Sequence, residues 1–124
     1  AFDDPKYQPM LDKKIQLIKK HIPADWKVKF YIYIHPDMSI ELLIKRAEWC
    51  REHKCLPYVM RDQACWNDEK KDFYTDYAAY CNQAGFFKKM TFPEFLEKRH
   101  QNRERIKYSL SVYEEAVKEQ EEQC

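Results

Sequence analysis

The clearest signal in the sequence is a change of hydrophobic period within its first third. Over residues 10–22 apolar side chains recur every three or four positions, which predicts an amphipathic helix entered through Pro9 and ended by Pro23. Over residues 27–35 apolar and polar side chains alternate strictly. Such alternation predicts a β-strand with one buried face, formed by Val28, Phe30, Ile32 and Ile34.

A second helix and a second strand follow directly. Ser39 is a candidate N-cap, and apolar residues at helical spacing predict a helix from Ile40 to about His53. The short apolar run 56–60, bounded by Arg61 and Asp62, predicts a second buried strand. Two strands that flank a helix of this length predict a β-α-β unit over residues 27–62, with parallel strands and a right-handed connection.

The rest of the chain is predicted to be helical. Asn67 is a candidate cap for a helix that presents Phe73, Tyr77, Tyr80 and Cys81 on one face. Thr91 and Glu94 have the spacing of a capping box, a further helix is predicted over residues 103–118, and the polar tail beyond it is predicted to fray. The fold class is therefore α/β, with C-terminal helices, and so small a sheet is expected to leave one face open.

Composition narrows the classes of function. The 124 residues suit one domain, and a single glycine, Gly85, excludes the glycine-rich loops that hold nucleotide phosphates. Because 22 Lys and Arg face 21 Asp and Glu, we expect neither a nucleic-acid nor a membrane partner. With no apolar run near the roughly 20 residues of a bilayer span, a cytoplasmic protein is expected, and its five cysteines are expected to be reduced thiols.

The polar residues of greatest interest follow the strands. In parallel α/β folds the groups that touch ligands lie at the carboxyl ends of strands. The residues predicted at those ends here are Asp3 with Asp4, His35 with Asp37, and Arg61 with Asp62. Arg61 is a candidate for binding an anion, and His35 or an aspartate for moving a proton. Only one of Arg61 and Asp62 can face a given concavity, because successive strand residues point to opposite sides. Ordinary loop polarity with one ion pair is the alternative.

The cysteines suggest two further chemistries. Cys50, His53, Cys55 and Cys65 include the ligand types that zinc prefers, but the spacing is irregular. Cys50 falls on an apolar stripe and Cys55 opens a buried strand, so both are interpreted as small hydrophobic residues. A nucleophilic role for Cys65 or Cys81 has no supporting pattern.

Several segments together resemble the C-terminal part of bacterial and phage-type radical S-adenosylmethionine proteins. They are KVKFYIYIHP at 27–36, RAEWC at 46–50, LPYVMRD at 56–62, YCNQ at 80–83 and FK at 87–88, and the likeness covers most of residues 1–118. It implies a partial TIM-like barrel of about six parallel β/α units. In that barrel 56–62 would be the last strand, 27–35 the fifth, and 1–3 the end of the fourth.

The resemblance also implies a cofactor-dependent parent protein. Proteins of this family hold a four-iron, four-sulfur cluster and S-adenosylmethionine, but their C-x3-C-x2-C motif is not present here. The chain is then a catalytically incomplete segment that binds neither cofactor alone, with 1–66 as barrel units and 67–124 as a helical extension packed on the same domain. The residues placed near the barrel mouth, facing cofactor or substrate, are Asp3, Tyr33, His35, Tyr58, Met60, Arg61 and Asp62.

Two hypotheses about partners follow from these predictions. A barrel segment would pair with the missing N-terminal strands of its own polypeptide. The alternative is a small stand-alone α/β protein-interaction module, which binds a partner through its open sheet face. A homodimer through that face is compatible with either reading.

Overall fold

The fold joins one β-α-β unit to a layer of helices. The computed structural model describes residues 8–22, 24–100 and 102–122, and within them it contains six α-helices, one 3₁₀ turn and two parallel strands. In chain order the elements are α1 (Gln8–His21), β1 (Lys29–Ile34), α2 (Ile40–Glu52), β2 (Leu56–Arg61), the 3₁₀ turn (Gln63–Trp66), α3 (Lys71–Cys81), α4 (Ala84–Phe87), α5 (Phe92–Arg99) and α6 (Arg103–Glu122).

The two strands pair in parallel, as the sequence predicts. Lys29 lies beside Leu56 and the register continues to Ile34 beside Arg61. The alternation of β1 is confirmed, because Ile32 and Ile34 are each only 1% exposed. The sheet therefore has one face covered by helices, and the alternate residues form the other face.

Local sequence explains most of the helix boundaries. Ser39 caps α2 by accepting a hydrogen bond from the Leu42 amide, and Thr91 and Glu94 form the predicted capping box of α5. The prediction that Asn67 caps α3 is wrong. Asn67 instead ends the 3₁₀ turn, where its N–H bonds the Ala64 carbonyl, and α3 begins only after a further turn held by the Asp68 side chain on the Lys70 amide. The last helix continues past the predicted limit to Glu122.

The core has two connected parts. Beneath the sheet, α2 packs on both strands through Leu43, Ile44 and Ala47, each at most 2% exposed. Beside it, α3, α5 and α6 enclose an aromatic cluster in which the Tyr77 and Phe92 rings lie 5.1 Å apart. Ile15 of α1 is fully buried in the same core, whereas Ile22, predicted on the same face, is exposed just beyond the helix end.

Candidate functional site

The face of the sheet opposite α2 is exposed and rich in aromatic side chains. Tyr31 is 57% exposed, Tyr33 38%, Tyr58 39% and Met60 48%. The Tyr31 and Tyr58 rings meet edge to face at 5.6 Å. A large exposed apolar patch usually marks an interaction surface, so this face of the sheet is a candidate contact surface.

Three polar side chains converge where this face meets the carboxyl ends of the strands. The Tyr33 hydroxyl donates a hydrogen bond of 2.5 Å to Oδ2 of Asp62. His35 Nε2 lies 3.9 Å from Oδ1 of the same carboxylate. The sequence placed Tyr33, His35 and Asp62 at this edge, and the structure brings them together.

The position of Asp62 is fixed by the chain that follows it. Its Oδ1 accepts a hydrogen bond of 2.9 Å from the Ala64 amide, which caps the 3₁₀ turn. That bond, the Tyr33 hydroxyl and the neighbouring His35 hold the pKa of Asp62 below its usual value. The bond to Asp62 raises the pKa of Tyr33 in turn, because ionising the phenol would place two negative charges together. Asp62 is thus an ionised acceptor, and Tyr33 a neutral donor.

The tautomer of His35 follows from its second contact. The Asp37 amide donates a hydrogen bond of 3.1 Å to Nδ1, so the proton of the neutral ring lies on Nε2, directed toward Asp62. The Asp37 carboxylate lies 3.5 Å from Nδ1 and is almost fully exposed. The cluster can therefore present one carboxylate and one imidazole to a hydroxyl, amine or other polar group above the strand ends.

Arg61 points away from this cluster. Its guanidinium donates a hydrogen bond of 3.0 Å to Thr75 Oγ1 on α3 and stacks 4.2 Å from the centre of the Trp66 ring. Of the neighbouring pair at the end of β2, Asp62 thus faces the cluster and Arg61 faces the helices. Asp3 and Asp4, also predicted at this edge, lie outside the described residues, while Tyr58 and Met60 lie on the exposed face below it.

The outer edge of β2 is closed by a side chain. Asn82, just after α3, accepts a hydrogen bond of 2.7 Å from the Val59 N–H and donates one of 3.1 Å to the Val59 carbonyl. Pro57, two residues earlier on the same edge, has no N–H to offer a further strand. A third strand therefore cannot pair with β2 while Asn82 keeps this position.

The outer edge of β1 is open in the described part of the chain. The bonds from Leu56 to Val28 and from Asp62 to Ile34 show that the even-numbered residues of β1 pair with β2. Alternation then directs the N–H and C=O groups of Lys29, Tyr31 and Tyr33 outward. No other strand is present among the described residues to pair with them.

A second polar cluster is buried among the helices. Asp76 on α3 is fully buried and accepts hydrogen bonds from Ser109 at 2.7 Å and Arg105 at 3.1 Å, with His100 Nε2 at 2.8 Å. Burial alone would raise the pKa of Asp76, but these partners outweigh it and hold the pKa below the usual value. Because the cluster ties α5 and α6 to α3 and the Asp76 carboxylate itself is closed to solvent, we interpret it as structural.

Sequence reasoning assigned no role to Asn82 or Asp76. A signal for Asp76 existed, since it lies on the apolar stripe three residues after Phe73 and four before Tyr80, where a carboxylate needs buried partners. Asn82 offered only its position after a helix, which is common for asparagine.

The four cysteines that the structure describes form no site. Cys50, Cys55, Cys65 and Cys81 are free and at most 2% exposed, and burial raises the pKa of the Cys50 and Cys55 thiols. In the part of the chain that the structure describes, no group of three His, Cys, Asp or Glu side chains is placed to hold a metal ion. His53, the remaining ligand of the zinc interpretation, has its Nδ1 2.8 Å from the Trp49 carbonyl oxygen.

Comparisons with known proteins add no relative. No protein family, curated protein or solved structure gives a significant match to the chain. Within residues 8–22, 24–100 and 102–122, none of the helices has the length and apolar character needed to cross a membrane.

Proposed function

We propose that this chain is the closing edge of a partial β/α barrel in a radical S-adenosylmethionine enzyme. The observation that carries the proposal is the asymmetry of the sheet: Asn82 closes the outer edge of β2, while the outer edge of β1 is open. The last strand of an open barrel needs one neighbour, and the strand before it needs two. β2, with one paired and one closed edge, fits the last strand, and β1, with one paired and one open edge, fits the strand before it.

The two faces of the sheet support the same assignment. In a β/α barrel the helices cover the outside, and the other face points to the interior, where strands and ligands meet. Here α2 covers one face, and Tyr31, Tyr33, Tyr58 and Met60 are exposed on the other. Their exposure would end when the remaining strands complete the barrel.

The residues at the barrel mouth would then be Tyr33, His35 and Asp62. An ionised carboxylate with a phenol and an imidazole beside it can orient a polar cofactor or substrate group by hydrogen bonds. S-adenosylmethionine bound in the parent protein would supply radical chemistry of the kind that such enzymes use. The role of these three residues is to position groups at the rim of that reaction.

The described residues of this chain do not fit the iron–sulfur cluster. Its ligands are accessible thiolates, whereas the four described cysteines are buried thiols, and they lie in no group that could hold a metal. The cluster would be held by the preceding part of the parent polypeptide. The segment alone is therefore expected to be inactive.

The decisive experiment is to determine the natural reading frame that contains this segment. We expect an upstream region with a C-x3-C-x2-C motif, and iron and sulfide in the anaerobically purified full-length protein. A frame without that motif would refute the proposal.

The site is tested next in the full-length protein. Asp62→Asn is expected to lower the rate of reductive S-adenosylmethionine cleavage at least tenfold. Asp25→Asn is the matched control, because the exposed Asp25 carboxylate lies near Lys54 at the opposite end of the strands. Equal effects of the two changes would remove Asp62 from the site.

The open edge of β1 also favours a second candidate, a stand-alone module that binds an extended segment by adding it to the sheet. Exposed sheet edges capture peptides through main-chain hydrogen bonds, and side-chain pockets then select among them. Screening a library of extended peptides against the isolated chain tests this function. Bound peptides must shift the amide signals of Tyr31 and Tyr33, and shifts confined to the helices would reject it.

A further inference from the structure

The open edge of β1 has the groups needed for strand pairing. Lys29, Tyr31 and Tyr33 direct their N–H and C=O groups outward, and no described strand meets them. A row of such groups beside an exposed aromatic face is a template for another strand. The proposed barrel would fill this edge in the parent protein, whereas the isolated chain leaves the edge open among its described residues.

We propose that β1 pairs antiparallel with β1 of a second copy of this chain, about a twofold axis at Tyr31. The two sheets would join into one sheet of four strands, with β2 at both outer positions. Tyr31 then faces Tyr31 of the second copy, and Lys29 faces Tyr33. This proposal rests on the same observation as the proposed function, namely that no described strand pairs with the outer edge of β1.

Charge along the edge favours this direction. Lys29 begins β1 and Lys27 lies two residues before it, while the Asp62 carboxylate lies beside Tyr33 near the end of the strand. Antiparallel pairing brings Lys29 of each copy to the Tyr33–Asp62 end of the other, so that opposite charges approach twice. Parallel pairing would instead keep the lysines of both copies at one end of the joined sheet and the carboxylates at the other, so that like charges gather.

Aromatic contacts reinforce the pairing at the axis. Tyr31 already meets Tyr58 of its own sheet edge to face at 5.6 Å. Joining the two edges extends this contact into a row of four tyrosines on one face, two from each copy. Cross-strand aromatic pairs of this kind are among those that stabilise antiparallel sheets.

The other edge cannot compete for the second copy. Asn82 occupies the N–H and C=O of Val59, and Pro57 has no N–H. The edge of β1 is therefore the one place in the described sheet where strand addition can occur, and pairing of like with like gives a closed twofold dimer.

Sedimentation equilibrium over a dilution series of the isolated chain tests the dimer, together with amide exchange at Lys29, Tyr31 and Tyr33. We expect a dimer that dissociates on dilution, with these amides protected in the dimer and exposed in the monomer. A chain that is monomeric at every concentration, whether or not these amides are protected, would overturn the inference.

Three variants locate the interface. Tyr31→Pro removes one outward N–H at an edge position that accepts proline, and is expected to abolish the dimer while the circular dichroism spectrum is retained. Tyr31→Thr keeps that N–H and is expected to retain the dimer. Lys29→Glu is expected to weaken the dimer at least tenfold, against no change for Lys45→Glu on the exposed side of α2. A dimer unaffected by Tyr31→Pro, or lost equally in Tyr31→Thr, would refute strand pairing.

The dimer and the proposed barrel can fail separately. A monomeric chain overturns the dimer and does not bear on the upstream cysteine motif. A natural frame without that motif overturns the enzyme assignment and does not alter the sedimentation result.

Discussion

Removing the Asn82 side chain tests whether a single amide closes the sheet. In Asn82→Ala the N–H and C=O of Val59 lose their hydrogen bonds to the side chain, which are 2.7 and 3.1 Å long. Val59 itself is only 4% exposed. An unsatisfied buried polar group costs about 1–3 kcal/mol. Because water can enter the space left by the side chain, we expect the free energy of unfolding to fall by about 2–4 kcal/mol in total.

Urea unfolding followed by circular dichroism measures this change, and two variants calibrate it. Asn82→Asp keeps the acceptor for the Val59 N–H but sets a carboxylate oxygen against the Val59 carbonyl oxygen, so it is also expected to be less stable than wild type. Gln83→Ala is the neighbouring control, since Gln83 is exposed and makes no side-chain cap. A loss below about 0.5 kcal/mol in Asn82→Ala, the range of ordinary surface changes, would refute the closure of β2 by this residue.

Three further outcomes are expected. Asp76→Asn should destabilise the chain by about 2–4 kcal/mol in urea unfolding, well beyond the partly exposed Asp72→Asn control, because it removes the charge of a fully buried carboxylate that accepts hydrogen bonds from partly exposed basic side chains. Because the pKa of Asp76 is lowered in the folded protein, the stabilisation by its carboxylate is present above the unfolded pKa of about 3.9 and is lost as the pH falls through the folded pKa. The difference in free energy of unfolding between wild type and Asp76→Asn should therefore vanish in acid. Tyr33→Phe should raise the pKa of Asp62 toward its ordinary value, read by NMR titration of the carboxyl group, and an unchanged titration would show that the hydroxyl does not reach it. Thr91→Ala should lower the stability by about 1 kcal/mol through loss of the capping box, and no loss would remove that role.

Features fixed by neighbouring residues could be predicted from the sequence. The alternation of β1 was readable because its two faces differ so sharply: Ile32 is buried and Tyr31 exposed. Ser39 and the pair Thr91 and Glu94 act within three residues of their targets, so their spacing identifies them. The prediction for Asn67 was wrong because asparagine is common at both ends of a helix. The turn held by Asp68 separates Asn67 from α3 and leaves it at the end of the 3₁₀ turn.

Features that depend on distant partners could not be predicted. Asn82 finds Val59 across 23 residues, and Asp76 finds Arg105 across 29. The choice between Arg61 and Asp62 depended on the strand register, because a shift of one residue exchanges the two faces. The sequence therefore located the candidate site at the strand ends, and the packing of α3 decided which side chains form it.

The asymmetric sheet edges also bear on aggregation. A molecule with two open edges can add neighbours without limit and grow into fibres, whereas a molecule with one open edge stops growing once that edge is occupied. Asn82 and Pro57 close the β2 edge to further strands and so limit assembly through the sheet to the edge of β1. Because Pro57 has no N–H, a change at position 82 alone would open this edge only in part, and growth through both edges would need changes at both positions.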